Sequence, residues 1–404
     1  MAFLSVVFIM VGCGGGGDDS WLFPLWVETD VIATDIDKDS RADVITLAQL
    51  STSMSNREGR LVVYRQTSPG VFAPPDTYVV GTYPWKLVAG DVDGDGLPDL
   101  VVTDPEARTV WLLLQNPGHK GTFFPPQQIV NGILAYEAII ADLNGDGLPD
   151  IAIANSLKGS NRVILLYQNP ARHGTFLQTV DFTLPGSPFN LTAGDLNGDG
   201  RVDLFLWIYL ASSGYTPNGE LAISLQQSNE TLGPVKTLAP MTGLNVGFLA
   251  MSDYNGDGRN DLFVFFTPFS SDYQAKITVL LQEQQPETFS APVDTSLAGI
   301  QGVDSAMVAD LNGDGRPDVA VVGFFPMGSP SIVKSRLNLF TQSGGGAFTL
   351  AGIYDMPIAV SRVTACDIDG DGLNDLIVLG KDNQPLVLIQ SQTMPGNFSG
   401  PRSL

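Results

Sequence analysis

Histidine and cysteine are scarce in this chain, with two of each among 404 residues. Two cysteines cannot build a disulfide framework, and so few imidazoles and thiols leave no ligand set for a zinc or His-rich centre. Basic residues are few as well: 21 Lys and Arg stand against 43 Asp and Glu, a formal charge of -22. Such a surface repels a polyanion, which argues against a nucleic-acid partner. No apolar run reaches the ~20 residues that span a bilayer. No window has a convincing helical period either. Turn chemistry, by contrast, is abundant, with 44 Gly and 27 Pro. Apolar residues make up 44%, enough for a large core. This balance describes an acidic, turn-rich, all-β globule.

Residues 1–20 read as a processing segment. Ala2 to Val11 is almost wholly apolar, as in the core of an export signal. Met10-Val11-Gly12-Cys13, followed by Gly14 to Gly17, Asp18 and Asp19, resembles a bacterial lipoprotein cleavage site with a flexible tether. Cys13 would then carry the lipid. No Lys or Arg precedes the apolar run, so simple export is the alternative. The expected location is extracytoplasmic, as a bacterial cell-envelope lipoprotein or a secreted protein, with membrane contact only through Cys13.

One nine-residue pattern, Asp-x-Asp/Asn-x-Asp-Gly-x-x-Asp, starts at Asp91, Asp142, Asp195, Asp253, Asp310 and Asp367, with a degenerate copy at Asp35. Successive starts are 51 to 58 residues apart, so seven units fill residues 21–404 and leave no second domain. In each unit an apolar strand enters the loop and a second leaves it, as in Leu87-Val88-Ala89-Gly90 and Leu100-Val101-Val102. A third follows, then a turn that sets Phe72, Phe123, Phe176, Leu232, Phe289, Phe348 and Phe398 in register, then a more polar fourth. Seven four-stranded units describe a seven-bladed β-propeller. A linear solenoid would need polar capping units, and the end units here are as apolar as the rest. Either Trp21 to Val27, the segment after Pro401, or both are expected to complete the seventh blade.

The recurrent DxNxDG loop, the D-L-x-V strand after it and the G-x-F turn resemble the FG-GAP/VCBS repeat of integrin α-subunit propellers and many secreted bacterial proteins. The resemblance covers essentially residues 21–404. By analogy it implies adhesion-like binding.

The loops carry their own chemistry. Calcium takes six to eight oxygens, and alternate side chains of a tight loop converge on one point. The expected ligands are positions one, three, five and nine, with the position-seven carbonyl. These are Asp35, Asp37, Asp39, Arg41 and Asp43 in loop one; Asp91, Asp93, Asp95, Leu97 and Asp99 in loop two; and Asp142, Asn144, Asp146, Leu148 and Asp150 in loop three. Loops four and five supply Asp195, Asn197, Asp199, Arg201 and Asp203, then Asp253, Asn255, Asp257, Arg259 and Asp261. Loops six and seven supply Asp310, Asn312, Asp314, Arg316 and Asp318, then Asp367, Asp369, Asp371, Leu373 and Asp375. The first half resembles an EF-hand loop, but no Glu stands at position twelve. A purely structural set of Asx-turns is the alternative. Up to seven Ca²⁺ are expected, which would move the charge from -22 to about -8. At ~1 mM calcium and a Kd of ~0.1 mM, each site would add about 1.4 kcal/mol. Loop one is expected to be the weakest, because Lys38 and Ser40 replace Gly at positions four and six.

No catalytic set stands out. His119 and His173 lie in equivalent turns of neighbouring units and are not expected to meet. Cys366 occupies a position that otherwise holds small residues, and reads as buried and structural. Ligand-binding residues are instead expected on the face opposite the loops. There the inner rim offers Trp85, Tyr136 and Phe189, followed one step later by Asp30, Lys86, Glu137, Asn190, Ser305 and Arg362. Longer connections add Trp207, Tyr209 and Tyr215, Phe266, Phe269 and Tyr273, and Phe324 and Phe325. Aromatics with mixed charges suit a glycan or a protein segment; packing between blades is the competing role. The reading is a monomeric, calcium-stabilised binding module. A secreted polysaccharide-active enzyme, such as a lyase on a calcium-rich propeller, is the alternative.

Overall fold

The computed structural model describes residues 25–404, apart from 54–55, 158, 178–179, 211–217, 229–230, 243, 269–274, 285–287, 298–299, 301, 327–332, 343, 345–346, 358 and 381–384. The proposed signal, its tether and Cys13 therefore lie outside the described residues. Seven four-stranded antiparallel sheets follow one another along the chain. Blade one comprises Leu25–Thr34, Asp43–Ser53, Asn56–Tyr64 and Asp76–Val79. Blade two comprises Lys86–Gly90, Asp99–Asp104, Thr109–Leu113 and Gln127–Asn131. The strands of each sheet pair in chain order. Among the described residues none is helical.

Burial follows the position of a strand in its blade. Strand two is covered on both faces in Asp99–Asp104, Asp150–Asn155 and Asp375–Gly380, all of whose residues are buried. A neighbouring blade lies against each face, so the apolar run is continuous and the usual alternation disappears. Strand four is the outer edge, and Gln127–Asn131 and Val180–Thr183 are largely exposed. The core is divided accordingly into clusters between adjacent blades. Leu47, Leu61, Leu87 and Leu100 join blades one and two. Val31 and Val44 meet Ile377, Leu379 and Val387 between blades one and seven, which closes the ring.

The C-terminal segment completes the seventh blade: Arg402–Ser403 pairs with Val387 and Leu386 as its fourth strand. Leu25 to Val27 does not join that blade, because it pairs with Gln49 to Ser51 inside blade one. Each blade is thus built from its own consecutive strands.

Candidate metal loops and a candidate ligand rim

The nine-residue loops connect strands one and two of every blade. The first Asp caps the turn: Asp142 accepts the N–H groups of Gly145 and Gly147 at 2.6 and 2.9 Å, and Asp253 accepts those of Gly256 and Gly258 at 2.7 and 2.8 Å. Positions four and six take left-handed backbone, with φ of 75° and 88° at Gly94 and Gly96. In loop one Lys38 and Ser40 adopt the same conformation, at 61° and 70°.

The Asp at position nine is buried in all seven loops. One of its oxygens accepts the N–H of position two, as in Leu143 to Asp150 at 3.0 Å and Ile368 to Asp375 at 2.9 Å. The other accepts the N–H of a Gln that follows strand three, as in Gln168 to Asp150 at 2.8 Å and Gln390 to Asp375 at 2.7 Å. Burial raises these carboxyls, with the backbone donors offsetting part of the effect. Asp99 and Asp150 move from 3.8 to about 7, and Asp43, Asp203, Asp318 and Asp375 to about 6.

The acidic side chains of three loops fit a hard divalent cation. Oxygens of Asp35, Asp37 and Asp39, of Asp91, Asp93 and Asp99, and of Asp367, Asp369 and Asp371 each lie within 4.8 Å of one another. In the same loops Asp37 Oδ1, Asp91 Oδ1, Asp369 Oδ1 and Asp371 Oδ2 are buried without a hydrogen-bond partner. A buried carboxylate oxygen without a donor is costly unless a cation takes it. In loops three to six the position-three Asn donates to the position-five carboxylate, at 3.0 Å for Asn144 to Asp146, Asn197 to Asp199 and Asn255 to Asp257, and 3.3 Å for Asn312 to Asp314. Arg41, Arg201 and Arg259 at position seven pair with Asp39, Asp199 and Asp257. Leu97, Leu148 and Leu373 bring no such charge to their loops.

The sequence reading missed the glutamines. Gln66, Gln115, Gln168, Gln226, Gln282, Gln342 and Gln390 are all buried. Their Nε2 groups reach back to the preceding blade's loop: Gln115 to Ile36 O at 2.9 Å, Gln342 to Tyr254 O at 2.7 Å and Gln226 to Asp142 O at 3.0 Å, with Gln282 on Leu196 O and Gln390 on Leu311 O. Gln66 reaches Ile368 O of the seventh loop at 2.8 Å, and Gly70 donates to the same oxygen at 2.9 Å. These bonds cross the closing seam. Gln168 differs, reaching Pro149 O of its own blade at 3.5 Å. The signal was present, because a Gln precedes the register Phe or Leu by six to eight residues in every unit.

At the other end of strand one, the register shifts around Thr29, Tyr136, Phe189, Gly247, Asp304 and Ser361 in six blades. In blade two Trp85 and Lys86 both donate their backbone N–H groups to Thr103. Such bulges re-aim side chains. Here they put Tyr136 and Phe189 at matching places in blades three and four, and the paired donation to Thr103 puts Trp85 at the same step of blade two. The rings form one continuous arc: Tyr83 on Trp85 at 6.1 Å, Trp85 on Tyr136 at 5.7 Å, Tyr136 on Phe189 at 6.3 Å and Phe189 on Tyr209 at 6.0 Å. The next residues bring alternating charges together. Arg362 lies 3.6 Å from Asp30 and 5.5 Å over the Trp85 ring, and Lys86 lies 3.3 Å from Glu137. Burial alone would lower the Lys86 pKa, but the Glu137 and Asp30 carboxylates raise it overall. Asn190 and Ser305 bond across to neighbouring blades, with Val246 O and the Val363 N–H.

Two expected rim residues are corrections. Trp207 and Phe266 are 1% and 0% exposed and pack in the core between blades four and five. Both lie on a strand two, whose faces are both covered. Tyr215, Phe269 and Tyr273 lie outside the described residues, as do the side chains of Phe324 and Phe325. His119 and His173 are exposed, and His173 Nδ1 contacts Asp93 O. Cys366 is half-buried rather than fully buried, and burial with the nearby Asp375 and Asp367 pushes its thiol up to about 12. It is a poor nucleophile.

A family model described as FG-GAP-like repeat matches residues 35–102, 91–153, 142–206 and 253–321, more than half of the chain. Mouse integrin alpha-IIb is 34% identical over 148 residues, which cover 32% of this chain and 14% of that protein. Human T-cell immunomodulatory protein is 24% identical over 343 residues, covering 73% of this chain and 52% of that protein. The chain therefore spans well under two thirds of the length of these relatives. Among solved structures, one titled Structure of Dos1 propeller aligns with a TM-score of 0.48 and 12% identity, over 87% of this chain and 74% of that one. With its seven sheets and its repeated acidic loops, the chain belongs to the FG-GAP-like repeat family as an integrin-alpha-like β-propeller.

Proposed function

We propose that this protein is an extracytoplasmic, calcium-stabilised binding module that takes a glycan or protein ligand on the rim opposite its metal loops. The aromatic arc carries this reading. Bulges in blades three and four aim Tyr136 and Phe189 into it, the paired donation of Trp85 and Lys86 to Thr103 sets Trp85 at the same step of blade two, and the other blades place Thr29, Gly247, Asp304 and Ser361 there. That asymmetry is what a site needs and a purely structural rim does not. The likeness to integrin α subunits supports adhesion-type binding by analogy.

Positions one, three, five and nine, with the position-seven carbonyls, would hold calcium. The bound ion would offset the mutual repulsion of the carboxylates. A lipid at Cys13 would tether the module to the envelope, and Cys13→Ser should release it into the soluble fraction. The lyase alternative has less support, because Lys86 and Arg362 are engaged by Glu137 and Asp30. Binding of the full chain to glycan and matrix-protein arrays, read beside uronic-acid cleavage by absorbance, separates the two. Trp85→Ala with Tyr136→Ala should abolish binding while lowering the melting temperature only modestly, because both rings are part-buried. Undiminished binding by that variant would place the site elsewhere.

A further inference from the structure

The glutamine belt has a second consequence, which rests on the calcium reading of the loops. We infer that five of these glutamines, Gln66, Gln115, Gln282, Gln342 and Gln390, are positioning residues for the cation: each holds the position-two carbonyl, and so the peptide that presents ligand three, of the preceding blade's loop, and Gln66 thereby couples cation binding in loop seven to closure of the ring.

The residue at position two stands between ligands one and three. In loop seven the Ile368 N–H is held by Asp375 at 2.9 Å and its carbonyl by Gln66 at 2.8 Å. In loop one the Ile36 N–H is held by Asp43 at 3.0 Å and its carbonyl by Gln115 at 2.9 Å. Both peptides flanking position two are pinned, one from within the blade and one from the next. The side chain at position three starts from the second of these peptides. In these two loops the position-three oxygens Asp369 Oδ1 and Asp37 Oδ1 are buried without a donor, as is Asp371 Oδ2 at position five of loop seven. Loop two is the internal contrast. Gln168 does not reach its position-two carbonyl, and the unpartnered oxygen there belongs to Asp91 at position one. Gln66 also donates its own N–H to Asp43 at 2.6 Å, so one residue joins the loops of blades one and seven.

The test compares the full-length wild type with Gln66→Leu and Gln168→Leu, using calcium as the probe. Losing one hydrogen bond that orients a ligand corresponds to about fivefold weaker binding. Calorimetry of Gln66→Leu should show that loss at one site, together with a smaller calcium-induced rise in melting temperature. Exchange of the Gly70 amide should slow with calcium in the wild type and be insensitive to calcium in the variant. Gln168→Leu should leave calcium affinity unchanged. If Gln66→Leu fails to fold, Gln390→Leu carries the same latch onto loop six and takes its place. A melting temperature lowered equally with and without calcium, at unchanged affinity, would make the belt merely structural and overturn the inference. Equal loss in Gln168→Leu would do the same. Absence of calcium binding by the wild type would remove the calcium reading along with it.

Discussion

Lys38 and Ser40 hold left-handed backbone where the other loops have Gly. Each such residue costs roughly 1–2 kcal/mol. Loop one was expected to be the weakest site because its ligands would converge poorly. Its carboxylates do converge, since Asp35, Asp37 and Asp39 lie within the same 4.8 Å as those of the better-formed loops. The handicap is therefore strain, with Arg41 competing for Asp39. Lys38→Gly should raise stability by about 1 kcal/mol and tighten the weakest calcium step in calorimetry. A variant with lower stability and unchanged affinity would refute this account. Positions five and nine should also separate. Asp150→Ala orphans two buried N–H groups and should cost about 2 kcal/mol or more with or without calcium. Asp146→Ala should matter mainly when calcium is present. Thermal unfolding in calcium and in chelator distinguishes them, and equal behaviour would show the division of roles to be wrong. The carboxylates were legible because their spacing is fixed by the loop. The glutamines were not, because what makes them matter is a partner in another blade.

Strand position decides what an aromatic side chain does. Trp207 and Tyr209 are two residues apart on one strand, yet the first is core and the second meets Phe189 at the rim. Strand two has no solvent face over most of its length, so periodicity in the sequence could not tell core from rim there. Strand one was more legible, because Trp85, Tyr136 and Phe189 share one distance from their loops. The bulges that explain this spacing are invisible in sequence, since no residue type encodes a shift in register. Trp207→Ala should cost about 3–5 kcal/mol by emptying a packed site. Tyr136→Ala should cost far less, because its ring is only part-buried. Chemical denaturation of the two variants tests this, and comparable losses would return Tyr136 to the core.

At the level of the whole molecule, the ring holds its acid in its loops, and that sets its response to pH. Six position-nine carboxyls move from 3.8 to about 6 or 7 in the folded chain. Between about pH 4 and pH 7 the folded chain keeps protons that the unfolded chain has released, so stability falls as pH rises through that window. After chelation the melting temperature should be higher at pH 5 than at pH 7.5. Calcium held in the proposed loop sites would compete with these protons, so its stabilising effect should be larger at pH 7.5. Scanning calorimetry of the chelated protein, if it showed melting temperature rising from pH 5 to pH 7.5, would contradict this. The ring and its closure were readable from the regular spacing of seven loops and the apolar end units, whereas the contacts that make the closure were not, because Val31, Gln66 and Ile368 are far apart in sequence. Strand one also sets a length. Trp85 and Asp91 are joined by extended chain at about 3.3 Å per residue, so rim and loop are about 20 Å apart. Lanthanides accept the same oxygen donors as calcium, and a paramagnetic ion in each loop would act as a fixed beacon below the rim. Pseudocontact shifts measured on a bound ligand could then be triangulated against the ring, locating the ligand before its identity is known.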